Sequence, residues 1–134
     1  MATGSLLMAT SPQAQAFTDV SDASGSANTG FYSPGFSWGD YDADGDLDLY
    51  VANWATAVSV PANKLLNNDG TASFTDVAAS LGVDNDQNSI NANWADYDND
   101  GDLDMYSANY GTGNRLYLNS AGNLTATGNA LLRT

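Results

Sequence analysis

A nine-residue acidic segment, DYDADGDLD over residues 40–48, returns as DYDNDGDLD over residues 96–104, and no other feature restricts the fold as strongly. Each copy places a carboxylate at loop positions 1, 3, 5, 7 and 9, with glycine at position 6. Calcium is a hard cation that takes six to eight oxygens at about 2.3–2.6 Å, so alternate residues of a tight loop must turn their oxygens toward one centre. Gly45 and Gly101 fall where the turn is sharpest and a side chain would strain φ. An EF-hand opens in the same way but closes on a bidentate Glu at position 12, between two helices. Here position 12 is Val51 or Ser107, and the first loop leads into LDLYVAN, whose β-prone alternation reads as a strand. The loop therefore closes at position 9 and joins two strands. The predicted calcium ligands are the side chains of Asp40, Asp42, Asp44 and Asp48 with the backbone carbonyl of Asp46. In the second loop they are Asp96, Asp98, Asp100 and Asp104 with the carbonyl of Asp102. Magnesium, which demands octahedral geometry and keeps its waters, suits such a flexible oxygen cage less well.

The duplication extends beyond the loops. FTDV at residues 17–20 recurs at 74–77, Trp38 recurs as Trp94, and Asn63-Lys64-Leu65 recurs as Asn114-Arg115-Leu116. The chain thus divides into an arm over residues 1–16, a first repeat over 17–73 and a second over 74–134 with a C-terminal strand or tail. Within each repeat four strands are expected. The first ends at Trp38 or Trp94, and the second covers 47–52 or 103–108. The third covers 64–67 or 115–118, and the fourth is the FTDV segment, with Leu124 in the place of phenylalanine in the second repeat. Leu47, Leu49 and Val51 share one face of the second strand and Tyr50 and Ala52 the other, so the sheet should be covered on both sides. Residues 21–33 and 83–88, rich in Ser, Gly, Asn and Asp, read as surface loops, and a helical turn over 77–81 stopped by Gly82 fits the pattern.

These residues resemble a known family. The run W-x-D-Y-D-x-D-G-D-L-D, followed by Y-x-A-N, N-[KR]-L and F-T-D-V, is similar to the FG-GAP or VCBS repeat of integrin-α-like β-propellers and of many secreted bacterial proteins. The resemblance covers residues 17 to about 124. It implies an all-β chain of two four-stranded propeller blades, each holding one Ca²⁺ in a hairpin loop, with a role in recognition or adhesion rather than catalysis. A closed propeller needs at least four blades, so the expected module is either part of a longer propeller chain or a homo-oligomer that completes the ring.

The acidic balance supports this direction. Sixteen acidic residues, all Asp, face three basic ones, for a formal net charge of −13. Such a surface cannot neutralise a run of phosphates and is repelled by anionic membranes, so neither nucleic acid nor a membrane is an expected partner. There is no histidine and no cysteine, which removes the commonest general base, the thiol nucleophile and disulfides. The chain is expected to be no enzyme by itself. Leu6 to Ala9 and the Ala14-Gln15-Ala16 site resemble the tail of a secretory signal peptide that lacks its basic start, or else form a plain N-terminal arm. A secreted, cell-surface or periplasmic setting follows from the family resemblance, with a protein or glycan as the ligand. Two alternatives stand beside it: a lectin-like glycan binder assembled from several chains, and an accessory propeller of a larger secreted enzyme such as a polysaccharide lyase. Trp38, Trp94, Tyr50 and Tyr106 recur in register and are expected to pack the blades, whereas Trp54, Tyr110, Phe31 and Tyr32 are candidates for exposed contacts. Asn123-Leu124-Thr125 matches a glycosylation acceptor, relevant only to a eukaryotic source.

Overall fold

A computed structural model describes residues 17–54 and 61–127. The arm or signal-peptide tail over residues 1–16 and the tail beyond 127 lie outside the described residues. The described chain is all-β apart from two single-turn helices, and its strands form two four-stranded antiparallel sheets. The first sheet is a meander of β1 (Tyr32–Gly39), β2 (Asp48–Trp54), β3 (Lys64–Asn68) and β4 (Phe74–Asp76). The second repeats it with β5 (Ser89–Ala95), β6 (Asp104–Asn109), β7 (Arg115–Ser120) and β8 (Asn123–Ala126). Helix α1 (Ser21–Ser24) precedes the first sheet and α2 (Ala78–Leu81) the second. Each ends on a glycine in the left-handed region, Gly25 and Gly82, where a Cβ would be strained.

Several boundaries differ from the sequence reading, each for a local reason. The second strands begin at Asp48 and Asp104, because the carboxylates there are tied into the loops, and Leu47 is left outside its strand and more than half exposed. The segment 21–33 is not only loop: it contains α1 and the start of β1. FTDV is a strand in its second copy alone. Phe74–Asp76 pairs with β3 and closes the first sheet, so the sheet takes in a strand beyond the repeat boundary at 73. Residues 17–20 form no strand. Leu124 occupies the phenylalanine position, lying opposite Asn119 as Phe74 lies opposite Asn68.

The core lies between the sheets. β1 and β2 lie against β5, and Tyr41, Tyr50 and Leu65 of the first sheet and its loop meet Ala92, Met105, Tyr117 and Leu124 of the second. Ala78 and Val83, from α2 and the chain after it, complete this cluster. Because side chains alternate along a strand, Gly35, Ser37 and Gly39 turn toward the second sheet. A Cβ on Gly39 would stand 2.7 Å from the Trp94 ring, so glycine there lets the indole lie on the backbone. Phe36 and Trp38 turn the other way and are 65% and 49% exposed. The core covers one face of each sheet; on the other face cover is partial, with Val51 and Leu66 buried beside the exposed Phe36 and Trp38, and Leu116 buried on the second sheet.

Candidate metal centre

Each acidic loop bridges the first two strands of its sheet, from Gly39 to Asp48 and from Ala95 to Asp104. Its turn is built by its own first carboxylate. Asp40 Oδ1 accepts the Asp44 N–H and Oδ2 the Gly45 N–H, both at 3.1 Å, and Asp96 accepts those of Asp100 and Gly101 at the same distances. Gly45 and Gly101 have φ of +97° and +100°, which an L side chain rarely adopts. The last carboxylate ties the loop to the sheet. Asp48 is fully buried and accepts N–H groups from Tyr41 at 3.1 Å and from Asn68 on β3 at 2.9 Å. Asp104 does the same with Tyr97 at 2.7 Å and Asn119 at 2.8 Å.

This folding brings three carboxylates together in each loop. Asp40, Asp42 and Asp48 each offer an oxygen within 4.8 Å of the others, and Asp96, Asp98 and Asp104 do likewise. Oxygens so spaced fit on one sphere of calcium radius, at about 2.3–2.6 Å from its centre. The remaining predicted residues sit outside the triads. Asp44 Oδ1 accepts the Asp46 N–H and Asp100 Oδ1 the Asp102 N–H, both at 2.9 Å. The Asp46 side chain lies beside Gly70, and Asp102 accepts the Ala121 N–H at 2.8 Å, so both carboxylates reach to the turn between the third and fourth strands.

Each triad concentrates negative charge, and the first does so partly out of solvent. Asp42 Oδ2 accepts from Asn67 Nδ2 at 2.8 Å, while its Oδ1 is buried without a hydrogen-bond partner in the protein. A buried, unpaired carboxylate oxygen is costly, and a cation removes the cost. Burial pushes Asp48 up to about 6, outweighing the donors from Asn68 and Tyr41, with Asp42 and Asp44 adding repulsion. Asp98 is also raised, first by desolvation and then by Asp100 and Asp104. The donor set is all oxygen, hard and anionic, which suits Ca²⁺ rather than a softer metal.

The asparagines were not singled out as site residues, yet they organise the loops. Asn119 Nδ2 donates to the carbonyls of Tyr41 at 2.6 Å and Leu103 at 3.0 Å, so the second sheet holds the first loop in place. The asparagine of N-[KR]-L has a matching task at the other end of the sheet. Asn63 Nδ2 donates to Tyr50 OH at 2.9 Å and its Oδ1 accepts the Asn53 N–H at 2.7 Å; Asn114 does the same for Tyr106 and Asn109. The recurrence of N-[KR]-L and Y-x-A-N is a sequence signal for Asn63, Asn114, Asn53 and Asn109, whereas Asn119 lies in neither motif.

At that far end the exposed aromatics cluster. Trp54 and Tyr110, one from each sheet, face one another at 5.3 Å between ring centroids, and Tyr110 is largely exposed. Tyr32, opposite Trp54 in the β1–β2 pairing, is exposed too. Of the four aromatics expected to pack the sheets, Tyr50 is fully buried and Trp94 and Tyr106 partly so, whereas Trp38 is half exposed. Among the described residues no helix is long and apolar enough to cross a membrane. In comparisons with known proteins, no family model matches the chain and no curated protein matches it.

Proposed function

We propose that this chain is a calcium-binding module of two β-propeller blades of the FG-GAP or VCBS kind, serving extracellular recognition or adhesion without catalysis. The observation that carries the reading is the pair of carboxylate triads at matching loop positions, the first of which buries an unpartnered oxygen. Asp40, Asp42 and Asp48 would hold one Ca²⁺ and Asp96, Asp98 and Asp104 the other, with Asp44, Asp46, Asp100 and Asp102 around them. The ion supplies positive charge at the mouth of each β hairpin. Two of them bring the formal charge from −13 to about −9, which relieves repulsion between carboxylates that are adjacent in space.

The meander order of each sheet and the face-to-face packing of β1 and β2 on β5 support the reading as adjacent blades. A propeller of this kind is completed by further blades, from a longer chain or from other copies. The ligand is a protein or a glycan. The Trp54–Tyr110 contact, with Tyr110 exposed, favours a glycan, because an exposed aromatic ring offers a stacking face to a sugar.

Isothermal titration of the full chain with calcium and with magnesium tests the proposal. Two calcium ions per chain, with magnesium the weaker, is the expected result. Asp42→Asn with Asp98→Asn should remove both sites, and unchanged binding in that double variant would refute the assignment.

A further inference from the structure

The contact between the two sheets can be translated by one repeat, and the translation pairs two faces on which the described residues leave side chains exposed, Phe36 and Trp38 on one and Asn93 and Ala95 on the other. Strand registers set the correspondence. Trp38 matches Trp94 and Phe36 matches Ala92 on one side; Ser37 matches Asn93, Gly39 matches Ala95 and Tyr50 matches Tyr106 on the other. On the second sheet the outward-facing counterpart of Phe36, Ala92, is buried against the first sheet, whereas Phe36 itself is 65% exposed. On the first sheet Gly39 is buried beneath Trp94, whereas Ala95 is exposed, as is Asn93.

The polar contacts across the core have the same unanswered counterparts. Tyr41 stacks on Trp94 with ring centroids 6.4 Å apart; Tyr97 and Trp38, which correspond to them, are both exposed on opposite sides of the molecule. Tyr50 OH donates to Val83 O, in the segment that follows α2. The equivalent segment follows α1, and it is already shaped for the same role. Asn28 and Ser33 reach Asn53 Oδ1 at 2.9 and 2.7 Å, as Asn85 and Ser89 reach Asn109 Oδ1 at 3.1 and 2.8 Å. Gly25 lies against the Phe74 backbone, as α2 lies against β8. The first sheet therefore carries the approach structure of a blade that has a predecessor.

From this we infer that the exposed face of the second sheet, with Asn93, Ala95 and Tyr106, docks on the Phe36–Trp38 face of a second copy of the chain, head to tail, repeating the internal contact. The inference rests on reading the sheets as propeller blades. A heterologous contact of this type closes into a ring or runs on as a filament. The copy-to-copy contact is wider than the internal one, because Phe36 replaces Ala92 on one face and Ala95 replaces Gly39 on the other. Charge opposes it, so binding of calcium, by lowering the net negative charge, promotes it.

The test is sedimentation velocity of the full chain at physiological salt in millimolar calcium, with Phe36→Arg and Asn93→Arg, two exposed positions on opposite faces. The wild type should sediment as a discrete multiple of 14.0 kDa, and each variant as a monomer with unchanged circular dichroism. An equimolar mixture of the two variants should form a dimer, because each retains the face that the other lacks. A monomeric wild type, variants that still associate, or a mixture that stays monomeric would each overturn the inference. Calcium titration of the same samples separates the two claims: binding without association sinks only this inference, and association without binding sinks only the calcium assignment.

Discussion

Asp42 concentrates the chemistry of the first loop, since it gives one oxygen to Asn67 and leaves the other buried and free of donors. Asp42→Asn should therefore weaken calcium at the first site by at least about tenfold, or about 1.4 kcal/mol. Asp44→Asn should weaken it less, because the Asp44 side chain is turned to the Asp46 N–H; titration calorimetry on the pair orders them. Asp48 sets a pH window. Its folded pKa of about 6 lies above the unfolded value of about 3.9, so between these the folded chain holds a proton that the unfolded chain has released. The Asp48 contribution to stability without metal is fully present below about pH 4, is lost as pH rises through about 6, and does not change above. Calcium affinity moves the opposite way, since binding needs the ionised carboxylate. Melting in EDTA and calcium titration, each at pH 4.5, 5.5 and 7, read the two slopes.

At the scale of elements, the hairpin that holds each loop depends on positions that look minor in isolation. Gly39 lets Trp94 lie on β1, so Gly39→Ala should cost about 1–3 kcal/mol through overpacking, seen as an earlier urea midpoint. Asn63 joins Tyr50, Asn53 and Ser89, with a bond of 2.7 Å to the serine. Asn63→Ala strands the buried Asn53 N–H and takes a donor from Tyr50 OH and Ser89 Oγ, and should cost about 2–3 kcal/mol, more than Asn114→Ala at its half-buried counterpart. How much of this was legible follows the same division. The acidic loops, the strand after each of them and the helical turn before Gly82 could be read, because spacing, alternation and glycine encode them locally. The first FTDV looked the same as the second but forms no strand, since a strand needs a neighbour and residues 17–20 have none in this sheet. Nor could alternation separate the face of β1 that meets Trp94 from the face left exposed, because that depends on which sheet lies opposite. Asp44 and Asp100 share the spacing of the other acids, and only backbone geometry turns them to the next N–H.

For the molecule as a whole, one core between two sheets carries the fold, while ten carboxylates at one end of the strands work against it. Calcium acts on that imbalance. At about 100 times its dissociation constant an ion adds about 2.7 kcal/mol per site, so two sites should raise the melting temperature by on the order of 10 °C or more in a domain of this size. Scanning calorimetry in calcium against EDTA checks it, and coincident melts would remove the ions from the account. The most direct measurement is the anomalous scattering of crystals grown in calcium. The account predicts two peaks per chain, one among Asp40, Asp42 and Asp48 and one among Asp96, Asp98 and Asp104, with oxygens at about 2.3–2.6 Å. No peak in either loop, or a single peak away from both, would contradict it.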